Sequence, residues 1–225
     1  MRTLVIGDIH GRYAAMLQVL KRAKFRKTKD RLIVLGDVCD GDQYVHKVID
    51  YLLSCKSIVM ILGNHDDWAI EWMETGKENP SWWHQGGIWT AKSYGFDWMS
   101  VPKSHYAFLK YAKLWYVQNN QLFVHGGIVP GKPIEDQERL TLLWDRDIID
   151  WAAKNGNIPG YKKVWIGHTT TQLINQTTNI LIIGNLHCID TGAGWTGRLS
   201  LCDIHSGEFW QSDLQKSVDR AGEEL

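Results

Sequence analysis

Residues 3–11 read Thr3-Leu4-Val5-Ile6-Gly7-Asp8-Ile9-His10-Gly11, an apolar run closed by glycine and followed at once by polar side chains. The pattern returns along the chain. Leu32–Leu35 precede Gly36-Asp37, Ser57–Leu62 precede Gly63-Asn64, Gln121–Val124 precede His125, and Lys163–Ile166 precede Gly167-His168. Short β-branched and apolar runs ended in this way read as buried strands. Between the first of them lie helical patterns. In Tyr13–Lys24, Met16, Leu17, Leu20 and Ala23 share one face, and in Gln43–Ser54 so do Val45, Val48, Ile49 and Leu52. Alternating strand and helix predicts an α/β fold with parallel strands. The end of the chain differs. Ile180–Ile183, Leu186–Ile189, Arg198–Ile204 and Glu208–Gln211 are closely spaced and suit an antiparallel sheet. With no internal repeat or linker in 225 residues, a single domain over residues 1–225 is expected.

A hydrophobic share of 44% and a charged share of 22% are those of an ordinary globular protein. No apolar run approaches the roughly 18 residues of a membrane span. The first apolar run stops at Asp8, too early for a signal peptide, so a cytoplasmic protein is expected. Lys+Arg and Asp+Glu both number 25. That balance disfavours nucleic acid as a partner, because such binders carry a basic excess that releases counterions. The basic stretch Lys21–Arg31 reads as a solvated helix end and turn. Cys39, Cys55, Cys188 and Cys202 form no CxxC pair and read as reduced core residues. Six of the 12 tryptophans, Trp68, Trp72, Trp82, Trp83, Trp89 and Trp98, crowd one segment.

The polar residues after the strands carry the chemistry. Asp8, His10, Asp37, Asn64, His125 and His168 all fall at or beyond a strand's carboxyl end, the edge where open α/β sheets bind ligands. Singly, each reads as a helix cap or a satisfied polar group. Together they form a mixed oxygen and nitrogen donor set that suits Mn, Fe or Zn better than Ca. A set without thiolates suits ions kept partly open for water, and two ions need a bridging carboxylate. His65, directly after Asn64, is left for acid–base work.

In order, Gly7-Asp8-Ile9-His10-Gly11, Gly36-Asp37-Val38-Cys39-Asp40, Gly63-Asn64-His65-Asp66, His125-Gly126-Gly127 and Gly167-His168-Thr169 resemble the five signatures of calcineurin-like metallophosphoesterases. The layout is similar to the phosphoprotein-phosphatase branch, especially its compact bacterial and phage serine/threonine phosphatases, to which symmetrical dinucleoside-tetraphosphate hydrolases are related. Leu142–Asp147 and Ile189–Ala193 also look like that branch. The resemblance implies a four-layer α/β/β/α sandwich of two mixed β-sheets holding two divalent ions, with Mn the expected metal and Fe or Zn the alternatives. Asp8, His10 and the bridging Asp37 would hold one ion, and Asp37, Asn64, His125 and His168 the other. A bridging water would attack phosphorus in line with the leaving oxygen. His65, oriented by Asp40, would protonate that oxygen, and Arg146 would grip the phosphate unless Asp145 or Asp147 pairs with it. The substrate would be a phosphorylated protein or a small phosphate ester.

One departure bears on substrate. Where the family has Asp-Arg-Gly, this chain has Asp40-Gly41-Asp42. Loss of a charge-assisted donor costs on the order of 1.5–3 kcal/mol of phosphate binding. Arg12 could replace it, though an exposed surface position is its simpler reading. The gap raises a dinucleoside-polyphosphate hydrolase or a phosphodiesterase as alternatives. A non-catalytic metal-binding scaffold is the third reading, opposed by the complete donor set. Trp82, Trp83 and Gln85 are expected near the mouth of the site, and Cys39 is expected to pack in the core.

Overall fold

A computed structural model of the chain describes residues 1–215. Three central strands, β1 (Thr3–Ile6), β2 (Arg31–Val34) and β3 (Ile58–Met60), run parallel, with Ile6 opposite Val34 and Val34 opposite Met60. The second sheet contains β4 (Trp115–Gln118), β5 (Gln121–Val124), β6 (Lys163–Ile166), β7 (Leu181–Ile183) and β8 (Leu186–Cys188). The last two strands, β9 (Ser200–Asp203) and β10 (Phe209–Gln211), return to the first sheet. The sheet orders are β10-β9-β1-β2-β3 and β4-β5-β6-β8-β7. β5, β6 and β8 are parallel, whereas β4, β7, β9 and β10 pair antiparallel with their neighbours.

Strand periodicity explains the apolar runs. Successive side chains of a strand point to opposite faces, and here both faces are covered. Leu4, Ile6, Leu32 and Val34 meet Met16, Leu20, Val48 and Ile49 from helices α1 (Tyr13–Arg22) and α2 (Val45–Leu53). Their neighbours Val5 and Ile33 turn the other way and pack between the sheets with Phe123, Trp165 and Ile189. Leu122, Val124, Val164 and Ile166 form the third apolar layer. The result is the expected sandwich of two mixed sheets with helices outside.

The remaining helices are α3 (Asn64–Thr75), α4 (Pro80–Trp82), α5 (Ile88–Ser93), α6 (Lys103–Lys110), α7 (Arg139–Trp144), α8 (Asp147–Asn155) and α9 (Thr171–Asn175). A wide helical turn over Trp83–Gly87 links α4 to α5. No helix among the described residues is long and apolar enough to cross a membrane.

Two expectations are corrected. The last four strands do not form one antiparallel sheet. They are two hairpins, and each extends a different sheet. Closely spaced strands specify a hairpin, but the partner beyond it is chosen by tertiary packing. β4 was not expected at all. It is a half-exposed strand joined to β5 through Asn119 and Asn120, both at positive φ (53° and 57°). That is the backbone of a two-residue hairpin turn, which asparagine tolerates.

Candidate metal centre

Each of the six parallel strands delivers polar residues at its carboxyl end. β1 leads to Asp8 and His10, β2 to Asp37 and Asp40, and β3 to Asn64 and His65. β5, β6 and β8 lead to His125, His168 and Asp190. His10, Asp37, Asp40 and His168 have φ of 48°, 47°, 70° and 62°. Left-handed backbone at non-glycine residues costs of order 1–3 kcal/mol each and persists only where surroundings impose it. Here the loops are laced together. The Ile9 and His10 amides donate to the Asp37 carbonyl, at 3.0 and 2.9 Å, and the Gly11 amide donates to the Val38 carbonyl. Asp66, third residue of α3, accepts from the Val38, Cys39 and Gly63 amides, tying the second and third loops together. Burial, with Asp37 nearby, raises the Asp66 carboxyl to about 6.

Asp37 lies at the middle of two donor groups. Asp8, His10 and Asp37 form one, and Asp37, His125 and His168 the other, with donor atoms in each set within 4.8 Å of one another. That is close to the spread that bonds of about 2.0–2.2 Å to one ion allow. Asn64 completes the second set, its Oδ1 2.8 Å from His125 Nε2 and 2.8 Å from His168 Nδ1.

The residues fit cations at both positions, for three reasons. First, His125 Nδ1 donates to the Leu35 carbonyl at 2.7 Å. Its Nε2 faces Asn64 Oδ1 and, at 3.3 Å, Asp37 Oδ2, both acceptors. Burial works against a charge on this ring, but Asp37 outweighs it and raises the imidazole above its ordinary value, so a ring proton fills the place that a cation would take. Second, Asp8 Oδ1 and His168 Nε2 are buried with no hydrogen-bond partner, and both belong to candidate ligands. Third, Asp8, Asp37, Asp40, Asp66 and Asp190 are all buried here. Burial, together with Asp190 and Asp37, raises the Asp8 carboxyl well above the usual range, and burial raises Asp190 to about 6. His10 and His168 are pushed down by burial, to about 4 and about 3, and stay neutral as ligands must.

Two glycines make room for these carboxylates. A Cβ on Gly63 would stand 2.0 Å from Asp37 Oδ1, and one on Gly167 2.2 Å from Asp8 Oδ1.

Beside the donors stands His65. Its Nδ1 lies 2.6 Å from Asp40 Oδ2, and its Nε2 has no hydrogen bond among the described residues. Burial works against its charge, but Asp37 and the Asp40 bond outweigh it and raise the imidazole to about 9. Asp37 shows the converse. Burial would raise it, but His125 and His65 hold it well below the usual carboxylate range.

Arg146 is exposed, and its guanidinium has no ion pair among the described residues, so pairing with Asp145 or Asp147 is not found. Its charge reaches His168, whose pKa it helps to lower. Arg12 departs from the surface reading. It is 9% exposed, bonds Asp42 at 3.1 Å, and lines a cleft of about 660 Å³ with His10, Gly41, Tyr44, Trp89 and Trp195. Gln85 lines that cleft as well, as expected. Trp82 and Trp83 correct the expectation. Trp82 is fully buried and donates its Nε1–H to Asp40 Oδ2 at 2.8 Å, and Trp83 packs on Trp82 and Phe96 away from the cleft. Aromatic side chains have enough apolar surface to be drawn beneath a site rather than around its rim. Cys39 is buried, and burial pushes its thiol up.

Sequence reasoning missed Asp190 and Thr90, and it placed Trp82 at the mouth of the site rather than on Asp40. Asp190 had a signal, since it follows a strand in the same way as the metal-type residues. Trp82 and Thr90 had none, because they reach Asp40 from some 40 to 50 positions away.

The model of calcineurin-like phosphoesterases matches residues 1–196. The chain belongs to that family. It is therefore a hydrolase of phosphoester bonds in a metal-dependent family, and the donor groups described above are this phosphoesterase's candidate ligands. Serine/threonine-protein phosphatase 1 of Salmonella typhimurium is 25% identical over 210 residues, covering 89% of this chain and 90% of its own length. Serine/threonine-protein phosphatase 2 of Escherichia coli is 29% identical, covering 89% and 91%. The symmetrical bis(5'-nucleosyl)-tetraphosphatase of Coxiella burnetii is 38% identical, but over only 28% of this chain and 22% of its own. Among solved structures, a candidate diadenosine tetraphosphatase shares the fold, with a TM-score of 0.69, 19% identity and coverage of 93% and 92%.

Proposed function

We propose that this phosphoesterase removes phosphate from phosphorylated serine and threonine side chains, using two divalent ions with Mn the first choice. The observation that carries this reading is the convergence of two donor groups on Asp37, with the His65–Asp40 pair alongside. The chemistry such ions supply when bound is polarisation of the phosphoryl group and activation of water. Asp8, His10 and Asp37 would hold one ion, and Asp37, Asn64, His125 and His168 the other. His65, its Nδ1 proton engaged by Asp40, turns its Nε2–H to the leaving oxygen and protonates it. Arg146 and Arg12 supply positive charge for the phosphate oxygens, Arg146 from the exposed side and Arg12 from the cleft wall. A phosphoprotein substrate is supported by the two relatives named as serine/threonine phosphatases, whose similarity runs through most of both chains. The full donor set opposes a non-catalytic scaffold. All four cysteines are free thiols, which suits the reducing cytoplasm.

A second reading, a dinucleoside polyphosphate as substrate, has one observation in its favour. Tyr44, Trp89 and Trp195 line the cleft beside the centre with Arg12 and Lys92, a setting for a planar base and extra phosphates.

The test uses metal-stripped protein with Mn²⁺ added back, assayed on p-nitrophenyl phosphate, its bis diester, a phosphoserine peptide and diadenosine tetraphosphate. Metal-dependent turnover of the monoester and the peptide is expected. Preference for diadenosine tetraphosphate would move the assignment to the second reading, and silence on all four from metal-loaded protein would end both.

A further inference from the structure

The His65–Asp40 pair does not stand alone. Asp40 Oδ2 accepts from Trp82 Nε1–H at 2.8 Å as well as from His65 at 2.6 Å, and Oδ1 accepts the Thr90 hydroxyl at 2.6 Å. An indole N–H can only donate. The Thr90 hydroxyl is equally committed, because its oxygen accepts the Asp40 amide at 2.8 Å and its proton is left for the carboxylate. Asp40 thus receives donors on both oxygens, which fixes the plane of its carboxyl group against the His65 ring. Trp82, Thr90 and Asp40 are all fully buried, so water does not substitute for these bonds.

Trp82 and Thr90 come from one segment, the α4–α5 excursion between β3 and β4. Asn79 starts it by accepting the Ser81 amide. Gly86, at φ 107°, presses it against the Asp40–Gly41 backbone, where an added Cβ would stand 3.0 Å from the Gly41 nitrogen.

We infer that Trp82 and Thr90 are positioning residues for the leaving-group proton, acting through Asp40 to aim His65. This rests on the assignment of His65 as the acid. Without either donor, Asp40 is free to rotate and the imidazole turns with it.

The experiment compares Mn²⁺-loaded full-length protein on p-nitrophenyl phosphate, whose leaving group needs little help, and phenyl phosphate, whose leaving group needs a proton. The variants are Thr90→Val, Thr90→Ser, Trp82→Phe and His65→Asn, with Thr90→Val also made in the His65→Asn background. Thr90→Val and Trp82→Phe are expected to lower kcat on phenyl phosphate about tenfold more than on p-nitrophenyl phosphate, part of the 10²–10⁴ that general acids contribute. Thr90→Ser should restore the ratio, and in His65→Asn the added Thr90→Val should leave it unchanged. In protein loaded with diamagnetic Zn²⁺ instead, a proton resonance of the His65–Asp40 bond, far downfield in the parent, should move upfield in Thr90→Val. Equal losses on both substrates, or a ratio that shifts further in the double variant, would overturn the inference. If His65→Asn itself leaves the ratio unchanged, the acid assignment falls, a distinguishable result. Thermal unfolding reports folding, and Thr90→Val decides alone if Trp82→Phe does not fold.

Discussion

At the scale of single residues, substitution separates the proposed ligands from the proposed acid. Asp37 faces His10, His125 and the His65 amide at once, at 3.8, 3.3 and 3.0 Å. Asp37→Asn is therefore expected to weaken Mn²⁺ binding by more than about 100-fold, beyond the loss typical of residues that only support ligands. Calorimetric titration measures it. His65→Asn should bind Mn²⁺ like the parent while kcat on phenyl phosphate falls about 10²–10⁴-fold. Gly63→Ala tests the space around the Asp37 carboxylate. Its Cβ would stand 2.0 Å from Asp37 Oδ1 and 2.4 Å from the Asp37 amide nitrogen, so the loop must shift, and an approximately 10–100-fold loss of metal affinity is expected together with a lower unfolding free energy.

At the scale of elements, the β6–β8 pair carries a pH-sensitive contact remote from the centre. His187 stacks on Trp165 with ring centroids 4.3 Å apart. Burial, helped by Lys163, lowers its imidazole from 6.5 to about 4. Between those values the unfolded chain holds a proton that the folded chain does not. The contribution is full above pH 6.5 and is lost as the pH falls towards about 4. His187→Phe, which keeps the stack, is expected to shrink the gap between unfolding free energies at about pH 7 and about pH 4.5 by ~1–3 kcal/mol. Urea titrations at the two pH values check it. The hairpins follow the same division between local and distant causes. Asn119-Asn120 is a turn signal that could have revealed β4, whereas nothing local tells β9 to pair with β1 rather than with β8.

At the scale of the whole molecule, the layer between the sheets holds the two halves of the centre in register. Phe123, fully buried, stacks on Trp165 with centroids 6.2 Å apart and rings 4° from parallel. Phe123→Ala is expected to cost about 3–5 kcal/mol in urea unfolding, the loss of a large core ring plus the cavity left behind. Since Asp8, His10, Asp37 and Asn64 come from one sheet and His125 and His168 from the other, ions bound to both sets should oppose separation of the sheets. Mn²⁺ at about 100 times its dissociation constant is expected to add about 2.7 kcal/mol per site to the unfolding free energy.

Strand bounds at Thr3–Ile6, Gln121–Val124 and Lys163–Ile166 were legible residue for residue, because a run buried on both faces is apolar once past its first residue. The polar residues gathered at one edge were legible too, since a parallel sheet leaves one edge where loops can carry polar groups to a ligand. By itself, then, the sequence determined the layers, the edge and the identities of the side chains gathered there. Only the tertiary structure decided which sheet each terminal hairpin joins, that Arg12 turns into the cleft, and that Trp82 and Thr90 close on Asp40. These depend on contacts between residues far apart in the chain. Periodicity and turn chemistry are local and carry no information about distant partners.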